Sequence, residues 1–540
     1  MSPLKTNALY YGDNLQILRD YVPDESVDLI YLDPPFNSNR SYNVLFKETS
    51  STASQAQIEA FEDTWHWGEV AQGTFEEIAL HGADSTARLL KAMVDALGHN
   101  DVTAYLTMMA VRLVELRRVL KPTGSIYLHC DPSAGHYLKM LMDSIFGPKS
   151  FVNQIVWKRS AAHSDATQGA RHFGRLSDLI LFYSKGTQFE WTVQHGTYDD
   201  AYVQSHYTQV DSDGRRYMLD NLTGPGGAAK GNPSYEVMGV TRFWRYSREK
   251  MEELIRQGRI VQPKPGAVPR YKRYLDEMRG VPLGDVWTDI APINSQARER
   301  LGYPTQKPLA LLERIITASS NPGDIVLDPF CGCGTAVHAA HKLGRRWIGI
   351  DITHLAIGLV RRRMEDAFAG LKIEVVGEPV DLSGAKELAA HDPYQFQWWA
   401  LDKIDAQPVG DKRKGMDRGI DGIIPFLESR TDRKRAIVSV KGGSISSKDI
   451  RDLKGVLERE GEPLGVLLTL RPPTREMKLE AVAAGHYESP LMGRKYPRIQ
   501  ILTIADILNG ERVELPLRPN VFAQAERERG QEGEQGTLTV

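Results

Sequence analysis

The sequence predicts an α/β protein in which helices cover the faces of a sheet. Short apolar runs that read as buried strands alternate with segments whose apolar residues recur at helical spacing. One such run, SVDLIYL, stops abruptly at the turn residues DPPFNSN, as a buried parallel strand ends in a loop. The same alternation returns after Gln306, beyond a long irregular stretch. These observations together favour the α/β class.

The first 150 residues contain three predicted strands, NALYYG, SVDLIYL and SIYLHCD. Asp13 or Asn14 can cap the helix that follows the first strand. Residues 51–100 are rich in Ala and Glu and are predicted to be helical, and Tyr105 to Leu120 has apolar residues at helical spacing. Lys121-Pro-Thr-Gly is then predicted to turn the chain into the third strand.

The pattern of predicted strands and helices changes three times along the rest of the chain. NQIVWK and DLILFYS read as strands, but the stretch to about 290 is otherwise irregular, with clusters such as TGPGGAAKGNP. After it come the helix LALLERIITAS, the strand DIVLDPF, a Gly-rich loop, a helix and the strand RRWIGID. A smaller α/β unit follows, and the Glu/Gly/Gln-rich tail is predicted to be disordered. The predicted segments are 1–150, 151–295, 296–365, a linker at 366–391, 392–515 and the tail 516–540.

Composition excludes several classes of protein. The 540 residues carry 67 Lys and Arg against 69 Asp and Glu, so a globally basic DNA binder is excluded. We expect no membrane span, because no apolar run reaches about 18 residues, and no secretory signal, because the N-terminus has no apolar core. Three cysteines do not form a disulfide framework. We therefore expect a cytoplasmic protein.

A Gly-rich loop, Leu327 to Ala336 (LDPFCGCGTA), lies between a predicted strand and a predicted helix. Glycines let backbone N–H groups approach a ligand closely, and a helix N-terminus favours a negative group. The next strand ends at Asp351, where a carboxylate can bind both ribose hydroxyls of a nucleoside. The full dinucleotide fingerprint is absent, so a nucleoside cofactor other than NAD is favoured. A tight turn without a ligand is the alternative.

A second loop, Asp33 to Phe36 (DPPF), follows another predicted strand. The Asp side chain and a proline carbonyl can each accept a hydrogen bond from an amino group. The aromatic face can stack on a flat ring, and proline holds its carbonyl in place without an N–H of its own. The alternative is a turn that the two prolines merely stiffen.

These loops, with TQKP (Thr305 to Pro308) upstream of the second, resemble the motifs of S-adenosylmethionine-dependent DNA amino-methyltransferases. The catalytic loop precedes the cofactor loop, as in the circularly permuted beta group of that family. The resemblance covers roughly residues 7–365. It implies a Rossmann-like methyltransferase sheet with an inserted target recognition region, S-adenosylmethionine as cofactor and double-stranded DNA as partner.

The resemblance also implies a role for individual residues. The catalytic loop that holds the flipped base is Asp33, Pro34, Pro35 and Phe36. The residues implied at the cofactor are Asp13, Lys307, Asp328, Phe330, Gly332, Gly334, Thr335 and Asp351. Of these, Asp328 lies near the cofactor's amino group and Asp351 binds its ribose. The base must leave the stack to expose its amino group, and its nitrogen attacks the methyl carbon in line without a covalent nucleophile.

Several alternatives are weighed against adenine-N6 methylation. A cytosine-C5 enzyme usually needs Pro-Cys, and neither Cys130, Cys331 nor Cys333 follows a proline. Cytosine-N4 enzymes generally have Ser in place of Asp33, so adenine is favoured while cytosine-N4 stays open. A DNA-binding or signalling protein that merely retains the fold would bind no cofactor. The sequence does not decide between a monomer and a homodimer.

The inserted region has a basic stretch. Between Arg242 and Arg279 there are eleven Lys and Arg against five Asp and Glu. Aromatic residues lie among them, namely Phe243, Trp244, Tyr246, Tyr271 and Tyr274. This mixture suits phosphate contacts with stacking or groove-reading side chains. A solvated helix face with a few core aromatics is the alternative.

The C-terminal unit resembles the restriction-endonuclease-like fold, especially its Mrr-type branch. Its strands include IDGIIPF, RAIVSVK, PLGVLLT and RIQILT. The resemblance implies Asp421 as a metal ligand and Lys441 as the lysine of the second strand. Ser439 stands where that family has Glu or Gln, and Ser is a poor ligand for Mg²⁺. Mg²⁺ is expected only if the unit is an active nuclease, which would make a bifunctional restriction–modification enzyme, and we favour a DNA-binding role.

Overall fold

The computed structural model describes residues 4–35, 41–45, 57–62, 67–81, 84–160, 171, 173–294, 297, 299–301, 303, 306–409, 419–429 and 432–517. They divide into two compact units, one made of Met1–Thr192 with Asp285–Val540 and the other of Val193–Gly284. Among the described helices, none is both long and apolar enough to span a bilayer.

The first part of the larger unit alternates strands and helices, as the sequence predicts. Its elements are β1 (Ala8–Tyr11), α1 (Asn14–Tyr21), β2 (Val27–Leu32), β3 (Ser41–Leu45), β4 (Gln57–Glu62), α2 (Glu69–His81), α3 (Asp84–Leu97), α4 (Asp101–Val119), β5 (Leu120–Cys130), α5 (Pro132–Phe146), β6 (Phe151–Lys158) and β7 (Ser177–Ser184). The helical prediction for 51–100 is correct at α2 and α3 but wrong at β4. There the antiparallel partner β3 outweighs local helix propensity.

The smaller unit is built from short strands. Its elements are β8 (His195–Gly196), α6 (Asp200–His206), β9 (Gln209–Val210), β10 (Arg216–Asn221), β11 (Ser234–Val237), β12 (Val240–Phe243), α7 (Arg248–Arg256), β13 (Ile260–Val261), β14 (Arg270–Tyr274) and β15 (Val281–Pro282). They form a four-stranded sheet, β13-β14-β10-β9, and the pairs β11-β12 and β15-β8. Trp244 is fully buried in its core, and its indole nitrogen donates to the carbonyl of Tyr235 at 2.7 Å.

The larger unit then resumes. Its remaining elements are β16 (Val286–Trp287), α8 (Leu309–Ser319), β17 (Ile325–Asp328), α9 (Thr335–Lys342), β18 (Arg346–Asp351), α10 (His354–Ala367), β19 (Glu374–Val376), α11 (Leu382–His391), α12 (Pro393–Lys403), β20 (Gln407–Pro408), β21 (Gly422–Leu427), β22 (Arg433–Lys441), α13 (Ser447–Glu460), β23 (Leu464–Thr469), α14 (Arg475–Ala483), β24 (His486–Glu488), β25 (Lys495–Pro497), β26 (Ile499–Thr503) and α15 (Ile504–Leu508). Most of the tail expected at 516–540 lies outside the described residues.

A nine-stranded sheet organises the larger unit, in the order β16-β6-β7-β5-β2-β17-β18-β1-β19. Only β7 runs antiparallel to its neighbours. Successive side chains of a strand point to opposite faces, so Leu9 joins one apolar core while Ala8 and Tyr10 join the other. The predicted α/β fold is therefore confirmed. Within the expected recognition region 151–295, β6, β7 and β16 belong to this sheet and Val193–Gly284 forms the separate unit.

The C-terminal part has its own five-stranded sheet, β20-β21-β22-β23-β26. Strands β20, β21 and β22 pair antiparallel, whereas β22, β23 and β26 pair parallel. Its core contains Phe396, Trp399 and Phe426, and Ala385 of α11 is buried with them. The expected linker 366–391 thus contributes a core helix here, and its strand β19 is an edge of the large sheet.

A buried charge cluster joins helices α10 and α12. The Asp402 carboxylate of α12 forms ion pairs with Arg361 and Arg362 of α10. Nearby, Lys403 lies 2.8 Å from Glu378. All of these side chains are at least four-fifths buried. The C-terminal part therefore packs directly on the helix that follows β18.

Candidate active site

Four neighbouring parallel strands of the large sheet end beside an aspartate at one edge. In sheet order these are β2 before Asp33, β17 ending at Asp328, β18 ending at Asp351 and β1 just before Asp13. The carboxyl ends of parallel strands are where open α/β sheets bind ligands. The topology thus brings together motifs that lie far apart in the sequence.

A cavity of about 340 Å³ opens at this edge. Ten of the predicted site residues line it: Asp13, Asp33, Pro34, Pro35, Lys307, Asp328, Phe330, Gly332, Thr335 and Asp351. Gly334 is not among the lining residues and directly precedes α9. Phe36 and Thr305 lie outside the described residues. A cavity of this size is within the usual range for small ligands.

Asp33 and Lys307 form an ion pair at the wall of the cavity. The Lys307 ammonium donates to Oδ2 of Asp33, and the two side chains are 9 and 17 % exposed. The other carboxylate oxygen, Oδ1, is buried and has no hydrogen-bond partner in the described part of the chain. A buried acceptor without a partner costs free energy. The loop therefore holds an oxygen that a ligand N–H can satisfy.

Asp13 and Asn14 tie the start of α1 to the cavity floor. Oδ1 of Asp13 accepts from the backbone nitrogen of Leu15 at 2.7 Å, and Oδ2 lies 2.8 Å from Arg112 Nη2. Asn14 donates to the carbonyl of Pro329 at 2.8 Å and accepts from Arg112 Nε at 2.7 Å. Asp13, not Asn14, is thus the helix cap. Its carboxylate already has two partners, so Asp13 also has a structural role.

The Gly-rich loop has the backbone that its glycines predict. Gly332 and Gly334 have φ angles of +47° and +75°, which L side chains rarely adopt. A Cβ atom on Gly334 would lie 2.7 Å from Val360. Helix α9 then begins at Thr335 without a side-chain cap, so its first N–H groups are available to a ligand.

Asp351 is held in place by the loops around it. Oδ2 accepts from the backbone nitrogen of Gly332 at 2.9 Å, and Oδ1 accepts from the backbone nitrogen and hydroxyl of Thr353, each at 2.9 Å. Burial raises its pKa to about 6, although these hydrogen bonds act in the opposite direction. The same carboxylate therefore positions the Gly-rich loop and faces the cavity.

Asp328 is the most perturbed carboxyl group that lines the cavity. Burial raises its pKa to about 8, and the nearby charges of Asp33 and Asp351 act in the same direction. One hydrogen bond, from the backbone nitrogen of Phe330 at 3.1 Å, opposes this shift. Near neutral pH the Asp328 carboxyl therefore keeps its proton unless a cation comes close.

Sequence reasoning missed several residues that line the cavity, including Tyr31, Arg112, Tyr303 and Thr353. Arg112 had a visible signal, because it is a charged residue within the apolar run TMMAVRLVEL of α4. Tyr31 had one as well, two residues before Asp33 on the same strand. Tyr303 had none, since it lies in a loop without regular periodicity.

The second candidate site, in the C-terminal part, is small. Oδ2 of Asp421 accepts from the backbone nitrogen of Val440 at 2.7 Å and from the Ser439 hydroxyl at 3.2 Å. Lys441 ends the same strand, β22. No group of three His, Cys, Asp or Glu side chains is close enough to hold a metal ion within the part of the chain that the structure describes. The donors present do not fit Mg²⁺, which prefers several carboxylate oxygens.

The basic stretch of the smaller unit divides into paired and exposed groups. Arg259 forms an ion pair with Glu277, and Arg273 forms one with Asp220. Arg242 and Phe243 at the end of β12 are exposed, and so is Lys230, which precedes the stretch. The loop after β10 contacts Phe243, because Gly224 donates to its backbone carbonyl at 2.7 Å and a Cβ atom on Gly227 would lie 3.3 Å from the Phe243 ring.

Two family profiles match the chain. The profile described as DNA methylase, N6_N4_Mtase, matches residues 27–360. The profile described as NACHT-associated inactive Restriction Endonuclease 1 matches residues 394–508. The first range contains Asp33, Lys307, Asp328 and Asp351, and the second contains Asp421 and Lys441.

Curated relatives match about two thirds of the chain. The Type II methyltransferase M.EcaI of Enterobacter cloacae is 31 % identical over 361 residues, which are 66 % of this chain and 69 % of that protein. The StyLTI Mod subunit, a Type III restriction-modification enzyme of Salmonella typhimurium, is 27 % identical over 62 % of this chain, and the match spans half of the Mod subunit. The DNA adenine methyltransferase YhdJ of Escherichia coli is 27 % identical over 67 % of this chain and 84 % of its own length.

Proposed function

The chain belongs to the DNA methylase family whose profile matches residues 27–360, and on this premise we propose that it moves a methyl group from S-adenosylmethionine to N6 of adenine in double-stranded DNA. The observation that carries the proposal is the Asp33 carboxylate. Lys307 binds one of its oxygens, and the other is buried without a partner among the described residues.

Asp33 supplies what an amino group needs for this reaction. A carboxylate oxygen accepts the amino N–H, which orients the nitrogen and raises its electron density. Lys307 fixes the carboxylate from its other side, so little reorganisation is needed when the base arrives. Pro34 and Pro35 line the same wall and hold their carbonyls in rigid backbone.

The cavity fits the cofactor. The start of α9 at Thr335 has no side-chain cap, which leaves the first backbone N–H groups of this helix open toward a carboxylate. Asp328 and Asp351 line this cavity, where Asp328 would pair with an ammonium group and Asp351 would bind the ribose hydroxyls. When bound, S-adenosylmethionine supplies an electrophilic methyl group on a sulfonium.

Adenine is proposed over cytosine for two reasons. Asp33 stands where cytosine-N4 enzymes of this group generally have Ser. One relative, YhdJ, is named a DNA adenine methyltransferase. The experiment is expression of the gene in a methylation-free host, followed by mapping of modified bases in long reads. N6-methyladenine at a defined sequence is expected, whereas N4-methylcytosine would refute the choice of base.

Cofactor binding can be measured without DNA. We expect saturable binding of S-adenosylmethionine by calorimetry, and Asp351→Ala should weaken it about 10- to 100-fold, since hydrogen bonds to a charged group contribute about 1.5–3 kcal/mol. Asp28→Ala is the matched control, because Asp28 is an ion-paired carboxylate of the same sheet outside the cavity. A protein that merely retains the fold would bind nothing.

For the smaller unit and the C-terminal part we propose DNA contacts rather than catalysis. Lys230, Arg242 and Phe243 are exposed, and cations together with an aromatic ring suit contacts with a phosphate backbone and a base. The Asp421 carboxylate, just before β21, is occupied by hydrogen bonds from Ser439 and Val440 of the neighbouring strand β22. Purified protein with Mg²⁺ is therefore expected not to cut DNA, and Lys441→Ala should change nothing in that assay. Robust cutting that Lys441→Ala abolishes would make the protein a combined restriction–modification enzyme.

A further inference from the structure

Next to Asp33, three buried polar side chains form a row across three neighbouring strands. The Tyr31 hydroxyl of β2 lies 3.0 Å from Nδ1 of His129 on β5. Nε2 of the same imidazole lies 3.1 Å from Oδ2 of Asp178 on β7. Each of the three residues is at most 2 % exposed. Only Tyr31 lines the cavity, so the row leads from the cavity into the sheet.

The charge of Asp178 determines the donor-to-acceptor direction of the hydrogen bonds in this row. Burial acts to raise the pKa of Asp178, but His129 and Arg159 outweigh it and hold that pKa below its usual value. Asp178 is therefore a carboxylate and can only accept, so Nε2 of His129 carries a proton. In the neutral imidazole Nδ1 then accepts from the Tyr31 hydroxyl, and burial raises the pKa of Tyr31, which keeps that hydroxyl protonated. All donors point from the cavity toward Asp178.

The proposed reaction leaves one proton to remove. When the amino nitrogen of the base bonds to the methyl carbon, the sulfur keeps the electron pair of the bond that breaks. The nitrogen then carries a positive charge and one proton too many. A carboxylate ordinarily holds a proton only below about pH 4, whereas an imidazole takes one up near neutral pH. An imidazole within reach of the cavity is thus a suited acceptor.

We propose that Tyr31, His129 and Asp178 form a relay that carries this proton away from the target base, an inference that rests on the proposed methyl transfer. The hydroxyl oxygen of Tyr31 receives the proton while its own proton moves to Nδ1 of His129. Tyr31 stays neutral, and the imidazolium is stabilised by Asp178, as a carboxylate stabilises a catalytic imidazole. Once product has left, the reverse transfer returns the proton to water in the cavity.

The chain offers a close control. Tyr127 lies on β5, is 1 % exposed, and its hydroxyl lies 2.6 Å from the Ser319 hydroxyl. It does not line the cavity. Tyr31→Phe and Tyr127→Phe therefore each remove one buried, hydrogen-bonded hydroxyl, but only the first breaks the relay. Asp178→Asn tests the other end and keeps the shape of the side chain.

The first measurement is the single-turnover rate of methyl transfer, which product release does not limit. Tyr31→Phe should lower this rate about 100-fold, the usual loss for proton transfer, while the cofactor dissociation constant stays unchanged. Asp178→Asn should lower it about tenfold or more, and Tyr127→Phe should stay within about threefold of the wild type. Equal rates for Tyr31→Phe and Tyr127→Phe would overturn the relay, whereas an inactive wild type would refute the proposed function itself.

The second measurement needs neither cofactor nor DNA. In ¹⁵N spectra of histidine-labelled protein, assigned with His129→Gln, Nε2 of His129 should be protonated and Nδ1 should accept a hydrogen bond. Tyr31→Phe should shift the Nδ1 resonance, and Tyr127→Phe should not. The opposite tautomer, with the proton on Nδ1, would contradict the relay because the row could not then accept a proton from Tyr31.

Discussion

Lys307 forms an ion pair with Asp33 across 274 positions of the chain. The lysine comes from the TQKP motif just before α8, and the aspartate comes from the DPPF loop after β2. The group proposed to bind the target base is thus held by a residue from the segment that leads into the cofactor loop. This contact therefore links the DPPF loop to the segment that precedes the Gly-rich loop.

Asp33→Ala is expected to lower the single-turnover rate of methyl transfer at least about 1,000-fold, because it removes the acceptor that orients the amino nitrogen. Cofactor affinity should change less than about threefold, since the Gly-rich loop and Asp351 remain. Filter binding of labelled cofactor and a quenched-flow assay measure the two quantities. Retained activity would contradict the role of Asp33.

Ionisation of the Asp328 carboxyl should make the protein without bound cofactor less stable at alkaline pH. Its pKa is raised to about 8 by burial, so its contribution is complete below the unfolded value of about 3.9 and is lost as the pH rises through about 8. Between pH 6 and pH 9 the wild type should lose about 2–3 kcal/mol more stability than Asp328→Asn. Urea denaturation at both pH values tests this, with the exposed Asp95→Asn as control. Equal losses of unfolding free energy in the wild type and in Asp328→Asn would refute the prediction.

Asp402→Ala should destabilise the protein strongly, by about 3–5 kcal/mol, because it leaves Arg361 and Arg362 buried without their shared carboxylate. The pKa of Asp402 is lowered, since Arg362, Arg361 and Lys403 outweigh its burial. The pairing is therefore present at neutral pH and is lost as the pH falls through that lowered pKa. Asp95→Ala, which removes an exposed pair with Lys91, should cost less than about 1 kcal/mol. Equal shifts in the denaturation midpoint would contradict the prediction.

Arg242→Ala should weaken DNA binding, and so should Lys230→Ala. For each variant, the loss of affinity should be about the same whatever the DNA sequence. Each removes a cation proposed to contact a phosphate, so the slope of log K against log salt should fall by about 1. Fluorescence anisotropy at several salt concentrations measures the slope. Lys250→Ala is the control, because Lys250 is exposed but already paired with Glu253. An unchanged slope in Arg242→Ala would place the DNA contacts elsewhere.

The sequence predicts the sheet well because buried parallel strands are almost continuous apolar runs. DPPF and DPFCGCGTA are local motifs, and their strands β2 and β17 prove to be neighbours. What the sequence could not predict depends on distant partners. Strand β4 is stabilised by pairing with β3, which local sequence does not reveal. The Tyr31–His129–Asp178 row comes from three segments that only the sheet order brings together.

In the basic stretch, the burial and pairing of three residues differ from what the sequence indicates. Trp244 reads as a candidate for stacking on a base, but it is fully buried in the core of the smaller unit. Arg259 and Arg273 read as phosphate contacts, but each faces a carboxylate. Charge and aromaticity are visible in a sequence, whereas the direction in which each side chain points depends on strand pairing. Among the five aromatic residues of the stretch, Phe243 alone is exposed.

Strand β1 has a consequence for synthesis on the ribosome. It spans Ala8–Tyr11, yet its two neighbours are β18 at Arg346–Asp351 and β19 at Glu374–Val376. In a nascent chain, β1 therefore stays without its sheet partners until β18 and β19 have been translated. Contacts of such long sequence separation form slowly, and exposed strand edges invite association between nascent chains. A holdase chaperone that covers β1 during translation is therefore expected to raise the yield of folded protein.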